Sequence, residues 1–244
     1  MEPFRFKHFA LRHDASTQRI GTDSVLLAAI VPTADVHTVL DVGCGCGVVG
    51  FCIADRLRRA GTKNIAVTGV DIDESSVQEA LENAAHFPTP DTVRFEFRKE
   101  SIQEHVRRAG SRRYDLIVSN PPFFVSSLKP ADERRKQARH TDGTLSFCEL
   151  AEGVSQLLAP SGQFAVILPA QESMAFEEAA TGHLHLTCQI HIRPLSGKSA
   201  HRIVSIFDLK PVSHVKQAEL NIRDENHCYS ETYRQLTKEF YLGF

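Results

Sequence analysis

Short apolar segments alternate with helical patterns through the middle of the chain. Thr38–Val42 is typical of a buried strand that leads into glycines, and Val48–Ala60 repeats its apolar residues at helical spacing. The alternation continues with predicted strands at Asn64–Asp71, Val93–Phe97, Tyr114–Ser119 and Gln163–Leu168, and with predicted helices at Glu74–His86, Ser101–Ala109, Leu145–Leu158 and Gln171–Thr181. Strands that alternate with helices at this spacing favour an α/β fold with a doubly wound, mainly parallel sheet. We expect Pro160–Gly162 to form a turn between a helix and the fifth of these strands.

The pattern changes in the last third of the chain. Leu184–Arg193 and Ile203–Leu209 have the pattern of two strands, and a turn is predicted between them at Pro194–Gly197. We expect the two strands to pair as an antiparallel hairpin at the edge of the sheet. A final helix is predicted at Ser230–Phe240, because it begins at a residue that caps helices well.

No linker, internal repeat or low-complexity segment divides the 244 residues. We therefore expect a single domain over residues 1–244. Within it we distinguish an N-terminal extension at 1–37 with a short helix at Thr22–Ile30, a core at 38–209 and a C-terminal extension at 210–244.

Composition and charge exclude several classes of protein. Apolar residues make up 42% and charged residues 24% of the chain, which are globular proportions. The 28 Lys and Arg against 30 Asp and Glu exclude a protein that holds nucleic acid by its overall charge, but this balance is compatible with a local basic patch. The longest apolar run, Val25–Val31, is far too short to span a membrane, and residues 1–7 contain no apolar signal core. We expect a cytoplasmic protein without membrane contact.

The six cysteines do not form a CxxC pair, so we expect reduced thiols rather than a disulfide scaffold. Cys44, Cys46 and Cys52 lack the spacing of a zinc site and lie in and after a glycine-rich turn. We therefore expect no metal.

A glycine-rich turn follows the first predicted strand of the core. Gly43, Gly45 and Gly47 stand at alternate positions and lead into a helix, where glycines allow a tight turn and a close approach of a ligand to the backbone. The spacing differs from the G-x-G-x-x-G of a pyrophosphate-binding turn, since position 48 is Val48. Asp41 just before the turn is an acceptor that suits an amino group or a positive charge. A purely structural turn is the alternative.

A carboxylate ends the next strand of the core. Asp71, at the carboxyl end of the strand, is placed to accept both hydroxyl groups of a ribose. The alternative is that this aspartate or Asp73 caps the next helix, and we assign that capping role to Asp73.

The third candidate segment is Asn120-Pro121-Pro122-Phe123, directly after the fourth strand. The two prolines fix the backbone and leave carbonyl groups as free acceptors. An amino group would donate one proton to the Asn120 side-chain oxygen and one to the Pro121 carbonyl, while its ring stacks on Phe123. A rigid turn with a core phenylalanine is the alternative.

Together these residues resemble class I S-adenosylmethionine-dependent methyltransferases of the N6-adenine type. The Asp-x-Gly-x-Gly-x-Gly turn is similar to the cofactor loop of that superfamily, and Asn-Pro-Pro-Phe is similar to its amino-methylating motif. A closer resemblance, to the bacterial tRNA-valine adenine-N6 methyltransferases, spans nearly the whole chain. It is carried by Phe6-Lys7-x-Phe9, His13-Asp14, Gly21-Thr22-Asp23-x-Val25-Leu26-Leu27, Gln137-Ala138-Arg139, Leu168-Pro169, Tyr229-Ser230-Glu231 and Phe240-Tyr241-Leu242.

The resemblance implies a Rossmann-like methyltransferase fold and transfer of a methyl group to the N6 atom of the adenine just 3′ of the anticodon in a valine tRNA. It implies a cofactor site whose residues are Asp41, Gly43, Gly45, Gly47, Asp71, Ile72 and Asn120. The family commonly has an acidic residue after the third strand that binds the adenine of the cofactor. That position is Ser101 here, so either the neighbouring Glu100 substitutes for it or the backbone does.

Basic residues crowd the segment after the Asn-Pro-Pro-Phe motif. Because they lie beside the expected pocket, we interpret them as contacts to RNA phosphates rather than as a solvated face: Lys129, Arg134, Arg135 and Arg139. A second basic run, Arg107–Arg113, is interpreted as a solvated face.

Other functions remain as alternatives. A base in ribosomal RNA or a protein glutamine would fit similar acceptors, and a non-catalytic RNA-binding or cofactor-sensing module would share the fold. A nicotinamide dehydrogenase is disfavoured by the glycine spacing. The expected partner is tRNA, and we favour a monomer while the oligomeric state stays open.

Overall fold

Parallel strands and helices alternate along the chain as the apolar pattern predicts. The structure is a computed structural model that describes residues 2–16, 19–88, 91–121 and 145–243. Within those ranges the strands are β1 Phe4–Arg5, β2 Ala10–Leu11, β3 Thr38–Val42, β4 Ile65–Asp71, β5 Val93–Lys99, β6 Tyr114–Ser119, β7 Leu158–Pro169, β8 His185–Leu195, β9 Arg202–Asp208 and β10 Lys216–Arg223. The helices are α1 Thr22–Ile30, α2 Val48–Arg59, α3 Glu74–Ala85, α4 Ile102–Ala109, α5 Phe147–Leu157, α6 Ala170–Ala180 and α7 Glu231–Thr237.

An eight-stranded sheet forms the centre of the molecule, with the strand order β10-β8-β9-β7-β6-β3-β4-β5. All neighbouring strands from β7 to β5 are parallel, which confirms the predicted doubly wound sheet. The chain runs from β3 outward to β5 on one side and then returns to β6 on the other side of β3. The order of strands therefore reverses between β3 and β6, and in open α/β sheets ligands bind in the crevice at the carboxyl ends of such a pair.

The predicted antiparallel pair is present, but it does not form the edge of the sheet. β8 and β9 pair in antiparallel fashion, β9 also pairs with β7, and an additional strand, β10, runs parallel to β8 and is the outermost strand. The sequence prediction missed β10 because residues 216–219 are exposed and Leu220 is the one residue in the strand that is buried. The alternation of Ala218, Leu220 and Ile222 was the available signal.

The turn predicted at Pro160–Gly162 is wrong, because these residues lie inside β7. The strand begins at Leu158, and its pairing with β6 is irregular: Tyr114 is opposite Leu158, whereas Leu116 is opposite Gln163. A β carbon at residue 162 would lie 2.6 Å from the backbone oxygen of Tyr114. The glycine therefore permits a close approach of two backbones within the sheet rather than a chain reversal.

Both ends of the chain pack against the same face of the sheet. Phe6 and Leu11 near the N-terminus share one buried cluster with Tyr233 and Phe240 near the C-terminus and with the residues of α2. The backbone amide of Lys7 also donates a 2.9 Å hydrogen bond to the carbonyl oxygen of Phe240. Helices α4, α5 and α6 pack in a second cluster with residues from β6, β7 and β9. The segment that precedes β3 reaches the crevice where the strand order reverses, because Ser24 of α1 accepts a hydrogen bond from Asn120 at the end of β6.

Candidate functional site

The glycine-rich turn and the Asn120 segment emerge side by side at the carboxyl edge of the sheet. Val42, the last residue of β3, is the register partner of Ser119, the last residue of β6. The buried Ser119 hydroxyl donates a 2.8 Å hydrogen bond to the carbonyl oxygen of Val42, which ties the two strand ends together. Neighbouring strands lie about 4.8 Å apart. The two segments that the sequence analysis singled out therefore open into one crevice.

The backbone of the turn has the left-handed conformation at all three predicted glycines, with φ of 69° at Gly43, 54° at Gly45 and 85° at Gly47. Residues with a β carbon are strained in that conformation. The amides of Gly43 and Cys44 both donate to the carbonyl oxygen of Val70, at 2.8 and 3.1 Å, which fixes the turn to the end of β4. Helix α2 then begins without a side-chain cap.

Asp71 holds the turn in shape from the neighbouring strand. Its Oδ2 accepts from the Gly45 amide at 2.8 Å, and its Oδ1 accepts from the Asp73 amide at 2.9 Å. A carboxylate has about four lone-pair positions, so both oxygens keep acceptor capacity for a ligand. Ile72 beside it exposes 56% of its surface, which offers an apolar face to a planar group. Asp73 caps α3 by accepting from Ser76 at 2.8 Å, as predicted.

Asp41 lies beneath the turn and is almost completely buried. Its Oδ2 accepts from the backbone amide of Gly50 at 3.0 Å. Burial raises the pKa of Asp41 to about 7; the hydrogen bond from Gly50 opposes the shift, and the charge of Asp71 adds to it. A cationic ligand group in the crevice would favour the ionised form of this carboxyl group.

The side chains of Glu100 and Ser101 both have partners on α4. Arg108 donates to both carboxylate oxygens of Glu100, at 2.6 and 2.9 Å, and the Nδ1 atom of His105 lies 2.6 Å from one of them. Burial alone would raise the pKa of Glu100, but the hydrogen bonds from Arg108 and His105 outweigh it and hold that pKa below its usual range. Ser101 caps α4 in a capping box with Glu104. Both side chains therefore already have hydrogen-bonding partners within the protein.

The two ends of the Asn120 amide differ in their hydrogen bonding within the described ranges. Its Nδ2 donates to the hydroxyl of Ser24 on α1 at 2.9 Å. Its Oδ1 is buried and accepts from no group in the described ranges. Buried polar atoms are nearly always hydrogen-bonded, so this acceptor is available to a ligand N–H group. Pro121 next to it is buried, whereas Pro122 and Phe123 lie outside the described residues.

Residues 12–16 are held beside the glycine turn by two side chains of α3. Glu79 accepts from the amides of Asp14, Ala15 and Ser16 at 2.7 to 3.1 Å. Asn83 exchanges hydrogen bonds with the backbone of Arg12 and donates to the carbonyl oxygen of Cys46. No sequence motif pointed to Ser24, Glu79 or Asn83, because the groups they bond are distant along the chain.

The two basic regions differ in what the structure describes of them. In the run at Arg107–Arg113, Arg108 pairs with Glu100, Arg112 lies 3.2 Å from Glu96, and Arg113 donates to backbone carbonyl groups. These partners support the interpretation of a solvated face. The segment with Lys129, Arg134, Arg135 and Arg139 lies outside the described residues.

Within the described ranges, no helix combines the length and the hydropathy that a membrane span needs, and no group of three or more His, Cys, Asp or Glu side chains is placed to hold a metal ion. All six cysteines are free. Burial raises the pKa of Cys46 to about 12, so its thiol is unreactive at neutral pH.

Comparison with known proteins identifies the family. The pattern of the methyltransferase small domain family matches residues 15–174. A Phocaeicola vulgatus protein named tRNA1(Val) (adenine(37)-N6)-methyltransferase is 38% identical, over 98% of this chain and 97% of its own length. A Trichodesmium erythraeum protein of the same name is 35% identical over 99% of this chain and 98% of its own length. The chain belongs to this family of methyltransferases. The resemblance drawn from the motifs is thereby confirmed.

Solved structures agree on the fold of the methyltransferase. A predicted O-methyltransferase from Agrobacterium tumefaciens superposes with a TM-score of 0.66 at 18% identity, over 89% of this chain and 96% of that one. A putative class I S-adenosylmethionine-dependent methyltransferase from Listeria monocytogenes gives a TM-score of 0.57 at 17% identity, over 83% and 68%. These similarities confirm the predicted Rossmann-like methyltransferase fold.

Proposed function

We propose that this methyltransferase transfers a methyl group from S-adenosylmethionine to the exocyclic N6 atom of adenine 37 in a valine tRNA. The curated relatives carry that reaction in their names, and the chain matches them along nearly their full length. The observation that carries the proposal is the Asn120 Oδ1 atom, a buried acceptor without a partner in the described ranges, beside the glycine turn. An exocyclic amino group supplies the missing donor.

The residues of the crevice fit the proposed cofactor, which supplies the methyl group when bound. A β carbon at Gly43 would meet no atom within 4 Å, so the turn has an open side. Asp71 has acceptor capacity for ribose hydroxyl groups, the exposed Ile72 suits the face of an adenine, and Asp41 suits the positive charge of an amino group. The backbone at the start of α4 would take the edge of that adenine.

The chemical task of the protein is to make a poor nucleophile reactive. The lone pair of an adenine N6 is delocalised into the ring. If the two N6 protons are donated to Asn120 Oδ1 and the Pro121 carbonyl oxygen, the lone pair is localised and directed away from both acceptors. The methylated nitrogen would carry a positive charge and would then lose one of its protons to water, so no strong base is needed first. The contributions of the protein are orientation and electrostatic fit.

Recognition of the RNA is assigned to residues outside the described ranges. We assign stacking of the target base to Phe123 and phosphate contacts to Lys129, Arg134, Arg135 and Arg139, all from the sequence alone. A base in an anticodon loop is already unpaired, which lowers the cost of placing it in a pocket. We also propose that residues 1–244 form one domain, since both ends of the chain share one buried cluster. A tRNA substrate would place that domain in the cytoplasm.

The decisive experiment is incubation of the protein with radiolabelled S-adenosylmethionine and total tRNA, followed by mass spectrometry of nucleosides from the labelled species. We expect N6-methyladenosine at position 37 of one valine tRNA. Label in ribosomal RNA or in a protein glutamine, with none in tRNA, would replace the proposal with one of the alternatives. Absence of label in every fraction, with the cofactor bound, would indicate a non-catalytic module.

A further inference from the structure

We infer that Ser24 is a positioning residue that determines which end of the Asn120 amide faces the substrate, and so selects an amino group over a carbonyl group. This inference rests on the proposed function, because it concerns the same acceptor. Ser24 lies on α1, 96 positions from Asn120 along the chain, and no sequence motif pointed to it.

The geometry leaves the two ends of the amide with different roles. The Nδ2 atom of Asn120 donates to Ser24 Oγ at 2.9 Å, and Ser24 itself is buried. The Oδ1 atom is buried as well, with no donor in the described ranges. An asparagine side chain presents an acceptor at one end and two donor hydrogens at the other, and a half-turn about its last bond exchanges them. Because the Ser24 hydroxyl is the acceptor in this hydrogen bond, the donor end of the amide is turned to α1 and the acceptor end is left available to a ligand.

The chemical consequence concerns adenine and hypoxanthine, which differ at the reacting position. Adenine has an amino group there, whereas hypoxanthine has a carbonyl oxygen of similar size. The Oδ1 atom of Asn120 attracts the amino group and repels the carbonyl oxygen. Without Ser24, the amide loses the partner of its donor end and is free to turn Nδ2 toward the ligand. The site then accepts a carbonyl oxygen and holds an amino group less often in the reactive geometry.

The framework around Ser24 supports such a role. The preceding residue, Asp23, accepts a 2.7 Å hydrogen bond from Arg202 at the start of β9, which ties the first turn of α1 to the sheet. The following residues, Val25–Ala29, are buried in the core cluster. Because the helix is fixed at both places, the hydroxyl of Ser24 has a defined position relative to the end of β6. A mobile hydroxyl would not orient the amide.

The test compares Ser24→Ala with Ser24→Thr and Ser24→Val. Threonine and valine have similar shapes, but only threonine keeps a hydroxyl group. Full-length valine tRNA is prepared with adenosine or inosine at position 37. We measure kcat and KM on the adenosine form, the ratio of Kd for the two forms, Kd for S-adenosylmethionine by calorimetry, and the melting temperature.

We expect kcat of Ser24→Ala to fall about tenfold, which corresponds to loss of one hydrogen bond in the transition state. We also expect its preference for adenosine over inosine to fall about tenfold, with cofactor affinity unchanged. Ser24→Thr is expected to retain the wild-type values, and Ser24→Val to resemble the alanine variant. A structural role alone would lower the melting temperature and leave the base preference unchanged.

Full kcat and an unchanged base preference in Ser24→Ala and Ser24→Val would overturn the inference. That result is distinct from failure of the proposed function. If the wild type methylates a ribosomal base or a protein glutamine instead, adenine 37 is the wrong substrate, and kcat of Ser24→Ala on that amino acceptor still tests the role of Ser24. A wild type that methylates no amino group would overturn both.

Discussion

The two ends of the Asn120 amide have different roles in the candidate site. The donor end is used within the protein, by Ser24, and the acceptor end is buried without a partner in the described ranges. An unpaired buried acceptor costs roughly 1–3 kcal/mol. A ligand N–H group removes that cost on binding, so the site favours an amino group in the crevice.

Substitution of Asn120 tests this at the level of a single atom. Asn120→Ala removes the acceptor, and we expect kcat to fall by at least about 100-fold, the magnitude seen when one preorganised hydrogen bond to a transition state is lost. Asn120→Asp keeps an acceptor and is the matched control, with a smaller loss expected. Cofactor affinity, measured by calorimetry, should stay within about twofold of the wild type, because the alanine variant leaves the glycine turn intact. Turnover at the wild-type rate in Asn120→Ala would remove the amino-acceptor mechanism.

Asp41 makes the free energy of unfolding depend on pH, with a definite sign. Burial raises the pKa of its carboxyl group to about 7, from 3.8 in an unperturbed chain. The folded protein therefore holds a proton that the unfolded chain has released between about pH 4 and 7, so the contribution of Asp41 to the free energy of unfolding falls as pH rises through that window.

We expect this fall to be on the order of 1 kcal/mol per pH unit. Asp41→Asn cannot ionise and keeps an oxygen for the Gly50 amide, so the slope should be absent in that variant. Urea unfolding of both proteins at several pH values between 4 and 7.5 provides the measurement. Parallel pH profiles for wild type and variant would show that Asp41 is not the group responsible.

At the scale of elements, the glycine turn depends on aromatic packing beneath it. Phe97 from β5 contacts Phe51 from α2, and further ring contacts connect Phe51 to Phe87 and Phe87 to Phe9. A β carbon at Gly69 of β4 would lie 2.5 Å from the ring of Phe97 and 2.9 Å from the sulfur of Cys44. The absence of a side chain at residue 69 therefore allows the aromatic cluster to reach the turn.

Gly69→Ala is expected to destabilise the protein by about 1–3 kcal/mol, because the core must move to accept a methyl group. Phe97→Leu makes room at the same place. The double variant should lose less stability than the sum of the single variants, since the two residues are in contact. Urea unfolding of the wild type and the three variants gives the coupling energy. Strict additivity would mean that the ring does not limit the space at residue 69.

At the scale of the whole molecule, the overall charge of −2 is unsuited to holding RNA, so the proposed function requires a local basic surface. The sequence places four basic residues, Lys129, Arg134, Arg135 and Arg139, shortly after Asn120. The other basic run has acidic and backbone partners within its own part of the fold. The prediction that the first region contacts RNA therefore rests on its position in the sequence, shortly after Asn120.

Charge reversal separates the two regions. Arg134→Glu, Arg135→Glu and Arg139→Glu together should raise KM for tRNA, and each lost phosphate contact should reduce the slope of log affinity against log salt by about 1. Arg107→Glu with Arg113→Glu is the control and should change neither quantity. Binding assays at several salt concentrations provide both numbers. If the two sets of charge reversals had equal effects on KM and on the salt slope, the first region would be interpreted as a solvated face as well.

The sequence predicted most of the elements because their apolar patterns are strong. Thr22–Ile30, Thr38–Val42 and Tyr114–Ser119 have the predicted bounds. The sequence did not predict β10 or the start of β7, because both depend on pairing with strands that are distant in the chain. β10 lacks a buried face over its first half, and the start of β7 contains a proline and a glycine that are normally turn residues.

The sequence by itself determined the fold class, the family and the candidate residues of the crevice, because periodicity and motif spacing are local properties of the chain. Only the tertiary structure decided how those residues are used. It placed Asp41 beneath the turn and Ser24 within hydrogen-bond distance of Asn120. It also showed that the side chains of Glu100 and Ser101 bond to residues of α4. Each of these contacts depends on where a distant segment packs, and the energy that fixes it comes from burial of the whole core rather than from the residues of the motif.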